Sequence, residues 1–265
     1  MEFKDQLNTV FELKNTPERI ICLVPSITEL LVDLGLQEQI VGITKFCVHP
    51  SFLIEEKMIV GGTKNIKIDT IKALQPDIIL CNKEENTKEI VENCRKISAT
   101  HVSDIYTIAD TLELIHQYGK IFSCKEKSKE IILNILKKHN DFLGFIESKN
   151  IKKVAYFIWR KPWMIAANNT FIDYLLDTNK FENVFRTQER YPEIELKELH
   201  HLETIDCIFL SSEPYPFKTK HITELQKQFP STKIILVNGE YFSWYGSRLL
   251  KAFDYFKELH YQLES

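Results

Sequence analysis

The stretch IICLVPSITELLVDLGLQEQIVGI, residues 20–43, decides the fold. Residues 20–24 form a continuous apolar run that stops at Pro25, the pattern of a parallel strand buried on both faces. In SITELLVDLGL, Ser26 and Glu29 stand at capping-box spacing. Leu30, Leu31 and Leu34 recur at helical spacing, and Gly35 closes the segment. IVGI at 40–43 reads as a second strand. Strand, helix and strand in so short a span predict an α/β unit built on a parallel sheet.

The alternation continues outward. IDTIKALQ (68–75) reads as a helix halted by Pro76, DIILC (77–81) as a strand, TKEIVENCRKI (87–97) as a helix and THVS (100–103) as a short strand. From about 108 to 147 no strand signal occurs. KEKSKEIILNILKKHNDFLGFIE (125–147) carries Ile131, Ile132, Ile135, Leu136, Phe142 and Phe145. At about 1.5 Å per residue it makes a rod of roughly 34 Å, long enough to be a rigid connector. After 150 the pattern restarts: KKVAYFIW (152–159), FIDYLLDT (171–178), LKELHHLE (196–203), IDCIFL (205–210), HITELQKQF (221–229), KIILV (233–237) and a last helix over 247–262. IDTIKALQPDIIL (68–80) and LKELHHLETIDCIFL (196–210) echo each other as helix, break, Asp, strand. The expected architecture is α/β, with two Rossmann-like lobes on parallel sheets. The N-terminal lobe spans 1–107, a connecting helical segment 108–148 and the C-terminal lobe 149–265.

Composition excludes several classes. Lys and Arg total 34 against 37 Asp and Glu, a net charge of −3, which disfavours a nucleic-acid binder. Only 8 glycines are present, against roughly 19 at the usual frequency of about 7%. Neither G-x-G-x-x-G nor G-x-x-x-x-G-K occurs, so the standard dinucleotide fingerprint and the P-loop are absent. None of the six cysteines forms C-x-x-C. Cys22, Cys81 and Cys207 lie in apolar runs, where a free thiol acts as a small hydrophobe. No apolar run of signal-peptide length opens the chain, so a cytoplasmic protein is expected, with the periplasm as the alternative.

Ligands of open α/β sheets sit beyond the C-terminal ends of the strands. Those places carry aromatic and charged side chains together: Phe46, Cys47 and His49; Glu84 and Glu85; Trp159, Arg160 and Trp163; Arg190 and Tyr191; Glu213 and Tyr215; Glu240, Trp244, Tyr245 and Arg248. All three tryptophans fall in these loops. The pattern points to an apolar, planar-faced pocket with a few charged anchors. With Thr63 and Lys64 added, and Cys47 and Glu84 left aside, these residues are the candidate ligand-binding set. Lys64, Arg160, Arg190 and Arg248 would anchor carboxylate or phosphate groups, and Glu85 and Glu240 would orient those bases. Cys47 and His49, with Glu55 and Glu56 nearby, are the candidates for metal ligation, although one C-x-H falls short of a three- or four-ligand site. His200 and His201 are adjacent on an expected helix and point about 100° apart, so they do not ligate jointly. No G-x-S-x-G, H-E-x-x-H or catalytic-cysteine signature occurs, and Ser211 and Ser212 lack a glycine-flanked elbow. No catalytic residue is assigned and the protein is not expected to be an enzyme. The alternative is a cytoplasmic enzyme or cofactor chaperone working through Cys47, His49 and the glutamates.

The strings FCVHP, GGTKN, NKEEN, IWRKPWM, ERYPE, EPYPF and SWYGSR, together with PSITELLVDLGLQEQIVGIT, give the chain a resemblance that covers nearly its whole length. It resembles the substrate-binding proteins of ABC importers for vitamin B12 and iron-siderophores, in the branch of helical-backbone metal receptors and cobalamin-binding-like proteins. The resemblance implies a class III binding-protein fold with one long backbone helix joining the lobes. It also implies a ligand held between the lobes: a corrinoid, a haem-like compound or an iron chelate. Where corrinoid binders of this family carry a tyrosine and a tryptophan, this chain has Phe46 and Lys64. The family's permease-facing acids fall at Asp69 and at Ser243, which has no charge. A monomer is expected, with a small-molecule ligand, no nucleic acid and no membrane insertion.

Overall fold

The computed structural model describes residues 1–200 and 205–264. The expected helix over 196–203 is therefore described only to His200, and His201 and the His200 side chain lie outside the described residues. The chain divides into two compact units. Unit one comprises Met1–Lys137 and Trp244–Leu250, and unit two comprises Lys138–Ser243 and Lys251–Ser265.

Unit one opens with a hairpin, β1 (Glu2–Lys4) and β2 (Val10–Glu12), that carried no clear sequence signal. It continues β3 (Ile20–Cys22), α1 (Pro25–Asp33), β4 (Ile40–Ile43), α2 (Leu53–Glu56), β5 (Met58–Ile59), α3 (Ile68–Ala73), β6 (Ile78–Asn82), α4 (Lys88–Arg95), β7 (Ala99–Ser103) and α5 (Ile108–Ile121). The sheet runs β5-β4-β3-β6-β7, every pairing parallel. β3 lies in the middle, and Ile20, Ile21 and Cys22 are fully buried, which explains the unbroken apolar run. Thr87 caps α4 by accepting from Ile90 N at 3.2 Å, and Thr107 and Asp110 form a capping box on α5.

The N-terminus of α1 differs from the sequence expectation. Val24 is the N-cap, without a side-chain hydrogen bond, and Pro25 occupies the first turn. Ser26 and Glu29 form no capping box. Both are already inside the helix and buried, and the Glu29 carboxylate turns instead to Arg248, whose Nε lies 2.8 Å from Glu29 Oε2. The Trp244–Leu250 segment thus joins unit one through an ion pair in which both side chains are less than a tenth exposed.

The stretch at 125–147 is one helix, α6 (Lys125–Ile146), with Ile131, Ile135, Phe142 and Ile146 buried along one face. Its residues up to Lys137 belong to unit one and the rest to unit two. Unit two continues β8 (Lys152–Trp159), β9 (Trp163–Ile165), α7 (Phe171–Thr178), β10 (Phe181–Asn183), β11 (Glu193–Ile194), α8 (Leu196–His200), β12 (Cys207–Ser211), α9 (Thr219–Gln226), β13 (Lys233–Val237), α10 (Gly239–Ser243) and α11 (Leu249–Glu264). Its sheet runs β11-β9-β8-β12-β13, with β10 also on β8. β10, β8, β12 and β13 pair in parallel as expected, and the sheet becomes mixed where β9 runs antiparallel to both β8 and β11. The cause is the short Arg160–Pro162 connection, which is long enough for a hairpin but not for a crossover. One side of the sheet packs on an aromatic core: Tyr156 meets Phe242 at 5.2 Å, Phe181 meets Phe209 at 5.1 Å, and Phe242 meets Phe256 at 4.9 Å between ring centroids. His260 stacks on Phe181 at 4.7 Å, with its Nε2 3.1 Å from the Asn179 carbonyl.

Two stability outcomes follow from these contacts. Removing one partner of the buried pair, by Glu29→Gln or Arg248→Met, should cost about 3–5 kcal/mol in urea unfolding, and Glu29→Leu with Arg248→Met should recover most of it. Equal loss in the double variant would show that the pair itself is not what matters. The second outcome concerns pH. Burial pushes His260 down from 6.5 to about 4, and the buried His101 and the half-buried His139 are also depressed by desolvation. Between pH 6.5 and 4 the unfolded chain binds the proton and the folded protein does not, so stability should fall as pH drops through this window. His260 alone should account for about 2–4 kcal/mol of that loss, and His260→Gln should flatten the profile in urea titrations taken across the range.

Candidate functional site

In unit one the candidate residues gather beyond the C-terminal ends of the parallel strands. β6 ends in Asn82, whose Oδ1 accepts from Glu84 N at 2.8 Å and Glu85 N at 3.0 Å. Its Nδ2 donates to Ser103 O and Oγ at the end of β7. Asn86 closes the turn by accepting from Asn82 N at 2.9 Å and ties it sideways by donating to Thr63 O at 2.9 Å. Both asparagines are buried. Sequence reading placed this stretch at the site but missed that Asn82 and Asn86, four residues apart, are its scaffold. Ser103 Oγ also lies 3.3 Å from the Tyr245 hydroxyl, so the returning segment shares the same hydrogen-bond network.

Phe46, beyond β4, is 48% exposed, with Lys45 Nζ 5.0 Å from its ring centroid. A Cβ on Gly62 would come within 3.1 Å of the ring, so the Gly62 backbone is its floor. Gly61 has φ +122°, and a Cβ there would stand 2.5 Å from Asn65 O, which only glycine tolerates in this turn. Thr63 and the exposed Lys64 follow. Lys64 Nζ donates to the Glu84 carbonyl at 2.6 Å, so Glu85 does not orient it as expected. The half-buried Glu85 has its acidity weakened by burial, with Lys64 opposing and Glu84 adding to the effect.

Three unit-one candidates are not open anchors. Trp244, Tyr245 and Arg248 are 7%, 6% and 5% exposed. Trp244 meets the His49 ring edge at 5.4 Å and the Arg248 guanidinium at 4.9 Å, and Arg248 is committed to Glu29. They form a wall rather than a contact surface. Cys47 is fully buried, held by Thr28 Oγ1 at 3.1 Å and Thr44 Oγ1 at 3.3 Å. Burial pushes its thiol up, which opposes the thiolate a metal needs. Among the described residues no group of three or more His, Cys, Asp or Glu side chains is placed to share a metal ion. Asp69 is exposed in the first turn of α3.

In unit two the tryptophans are at strand ends, not in loops: Trp159 is the last residue of β8 and Trp163 the first of β9. Trp159 is 39% exposed, with Tyr215 edge-on at 5.6 Å. Trp163 is half-buried: it stacks on Phe217 at 6.1 Å and meets Phe157 at 5.4 Å, which packs it against the unit's core. Arg160 is engaged by Glu224, with Nη2 at 2.5 and 2.7 Å from the two carboxylate oxygens, a partner on α9 that the sequence did not reveal. Arg190, at φ +64°, donates from Nη1 to Asn169 O at 2.8 Å and lies over the ring of Tyr191. Glu213 accepts from Ser243 Oγ at 2.5 Å. Glu240 lies in the first turn of α10, its amide donating to Asn238 Oδ1 at 3.1 Å. The close approach of β12 and α10 needs Gly239, where a Cβ would stand 2.2 Å from Ser211 Oγ. Each unit therefore sets a solvent-facing aromatic, Phe46 or Trp159, beside basic side chains at a sheet's C-terminal edge.

The periplasmic binding protein family matches residues 20–233 of the chain. A vitamin B12-binding protein of Pectobacterium carotovorum is 23% identical over 242 residues, covering 89% of this chain and 86% of that protein. Among solved structures, the periplasmic vitamin B12 binding protein of Vibrio cholerae superimposes with a TM-score of 0.79 at 19% identity, over 92% of this chain and 98% of the other. The periplasmic heme-binding protein of Roseiflexus sp. RS-1 does so with 0.81 at 14% identity, over 94% and 99%. At these identities the structural likeness establishes the fold.

The different settings of the two tryptophans have a measurable consequence. Trp163→Ala should destabilise unit two by about 2–4 kcal/mol in urea unfolding, because it empties a packed position. Trp159→Ala should cost under about 1 kcal/mol. Equal losses would mean that both rings are packing groups.

Proposed function

The chain belongs to the periplasmic binding protein family, and from that premise we propose that it binds a bulky, flat-faced chelate of the corrinoid, haem-like or iron-chelate kind as the substrate-binding component of an import system. Family membership carries a small-molecule ligand and a permease partner with it. The finer reading rests on one observation: in each unit an aromatic ring is left open to solvent at the sheet edge where α/β proteins take ligands. Phe46 is backed by the Gly62 backbone and flanked by Lys45, and Trp159 is backed by Tyr215 and followed by Arg160. An exposed ring held rigidly from behind offers apolar area at little entropic cost, which suits a flat ligand. Arg160 and Arg190 already have partners, so charge here orients the rings and the ligand's periphery rather than neutralising a highly anionic guest. The relatives named as binders of vitamin B12 and heme support the same ligand size and shape.

Titration of the purified protein with cyanocobalamin and with haemin, followed by tryptophan fluorescence and visible absorbance, tests the reading. Saturable binding of at least one is expected. Phe46→Ala and Trp159→Ala should each weaken it by about 1–3 kcal/mol with little change in folding stability. Wild-type affinity in both variants, or no uptake of either compound, would overturn it.

A further inference from the structure

Glu85 stands out among the charged groups at the strand-end edge of unit one. Its neighbours are committed: Lys83 pairs with Asp104 at 2.7 Å, Lys64 reaches the Glu84 carbonyl, and Asn82, Asn86, Ser103 and Tyr245 bond one another. The Glu85 backbone is pinned by Asn82 Oδ1, yet among the described residues its carboxyl makes no hydrogen bond or ion pair. It is half-buried, and the titratable groups around it are Lys64, Glu84, Cys47 and Tyr245. None of these four donates to it. Holding a carboxylate partly out of water without a hydrogen-bond donor is unfavourable, and the charge of nearby Lys64 offsets this without supplying a hydrogen bond.

We infer that Glu85 is a specificity-determining acceptor, and that unit one takes a ligand presenting a hydrogen-bond donor to it: a carboxamide N–H or a protonated amine. The inference rests on the binding role proposed above and narrows the ligand's chemistry. A donor from the ligand supplies the missing partner and converts an unfavourable group into a charge-assisted hydrogen bond. A ligand that offers carboxylates at this position meets like charge and is rejected, which is discrimination by an unfavourable contact as much as by a favourable one. Burial weakens the carboxyl's acidity, with Lys64 favouring and Glu84 opposing the charged form. The ionised form is the better acceptor, so affinity for an amide-bearing ligand rises with pH as Glu85 ionises.

Cyanocobalamin, whose periphery carries carboxamides, and haemin, whose periphery carries carboxylates, are the two probes. Glu85→Ala should weaken cyanocobalamin binding about 10- to 100-fold, with Glu85→Gln intermediate and without the wild-type rise with pH. Haemin affinity should stay within twofold or tighten. The thermal midpoint of Glu85→Ala should be unchanged or higher, because no intramolecular partner is lost, whereas a structural role would lower it. Wild-type cyanocobalamin affinity in Glu85→Ala, or equal loss for both probes, overturns the inference. So does a wild-type protein that takes haemin but not cyanocobalamin, and that result leaves the binding role intact. Uptake of neither probe defeats both.

Discussion

The ion pair between Glu29 and Arg248 is the contact on which unit one depends. It joins positions more than two hundred residues apart, and it brings the Trp244–Leu250 segment onto α1. Isolated in a buried setting either charge would be costly, so the two are committed to each other. Around them Trp244 lies between the guanidinium and the His49 ring, and the Tyr245 hydroxyl meets Ser103 at the end of β7. The segment thereby completes the same sheet edge that presents Phe46, Lys64 and Glu85.

That edge has a consistent design. Parallel strands end together, so loops distant in sequence are gathered in one place, and backbone groups there need partners that the sheet no longer supplies. Asn82 and Asn86 provide them: each side chain both accepts from and donates to backbone, fixing the Lys83–Glu85 turn against Ser103 and Thr63. With the backbone immobilised by buried amides, the side chains of the turn are left for other work. Lys64 and Lys83 use theirs within the unit, and Glu85 does not.

Unit two solves the same problem with aromatic rings. A hairpin places Trp159 and Trp163 on neighbouring strands, and their fates diverge because the two strand faces differ. One ring packs edge-on to Phe157 and stacks on Phe217, while the other stays open to solvent beside Tyr215. Arg160 is drawn to Glu224, so its guanidinium is fixed over Trp163 rather than left to seek an anion.

The sequence by itself determined the α/β class, most element positions and the family. Those depend on local periodicity, helix stops and quoted motifs, which survive without knowledge of partners: 40–43, 171–178 and 233–237 coincide with β4, α7 and β13. It also determined that the chemistry-bearing residues cluster after strands. Only the tertiary structure decided which of them are committed elsewhere. Capping-box spacing at Ser26 and Glu29 looked local, yet Pro25 already starts the helix and Glu29 serves Arg248. Arg160, Arg248, Trp163 and Cys47 all looked available, and each is engaged by a partner that no spacing rule predicts, because the pairing is made across long separations in sequence. The small β9–β11 strands escaped notice for a related reason: two or three residues carry no periodicity, and their pairing is fixed by neighbours in the sheet. A sequence lists the groups that can bond, and the fold decides which still have a bond to give, as Glu85 does.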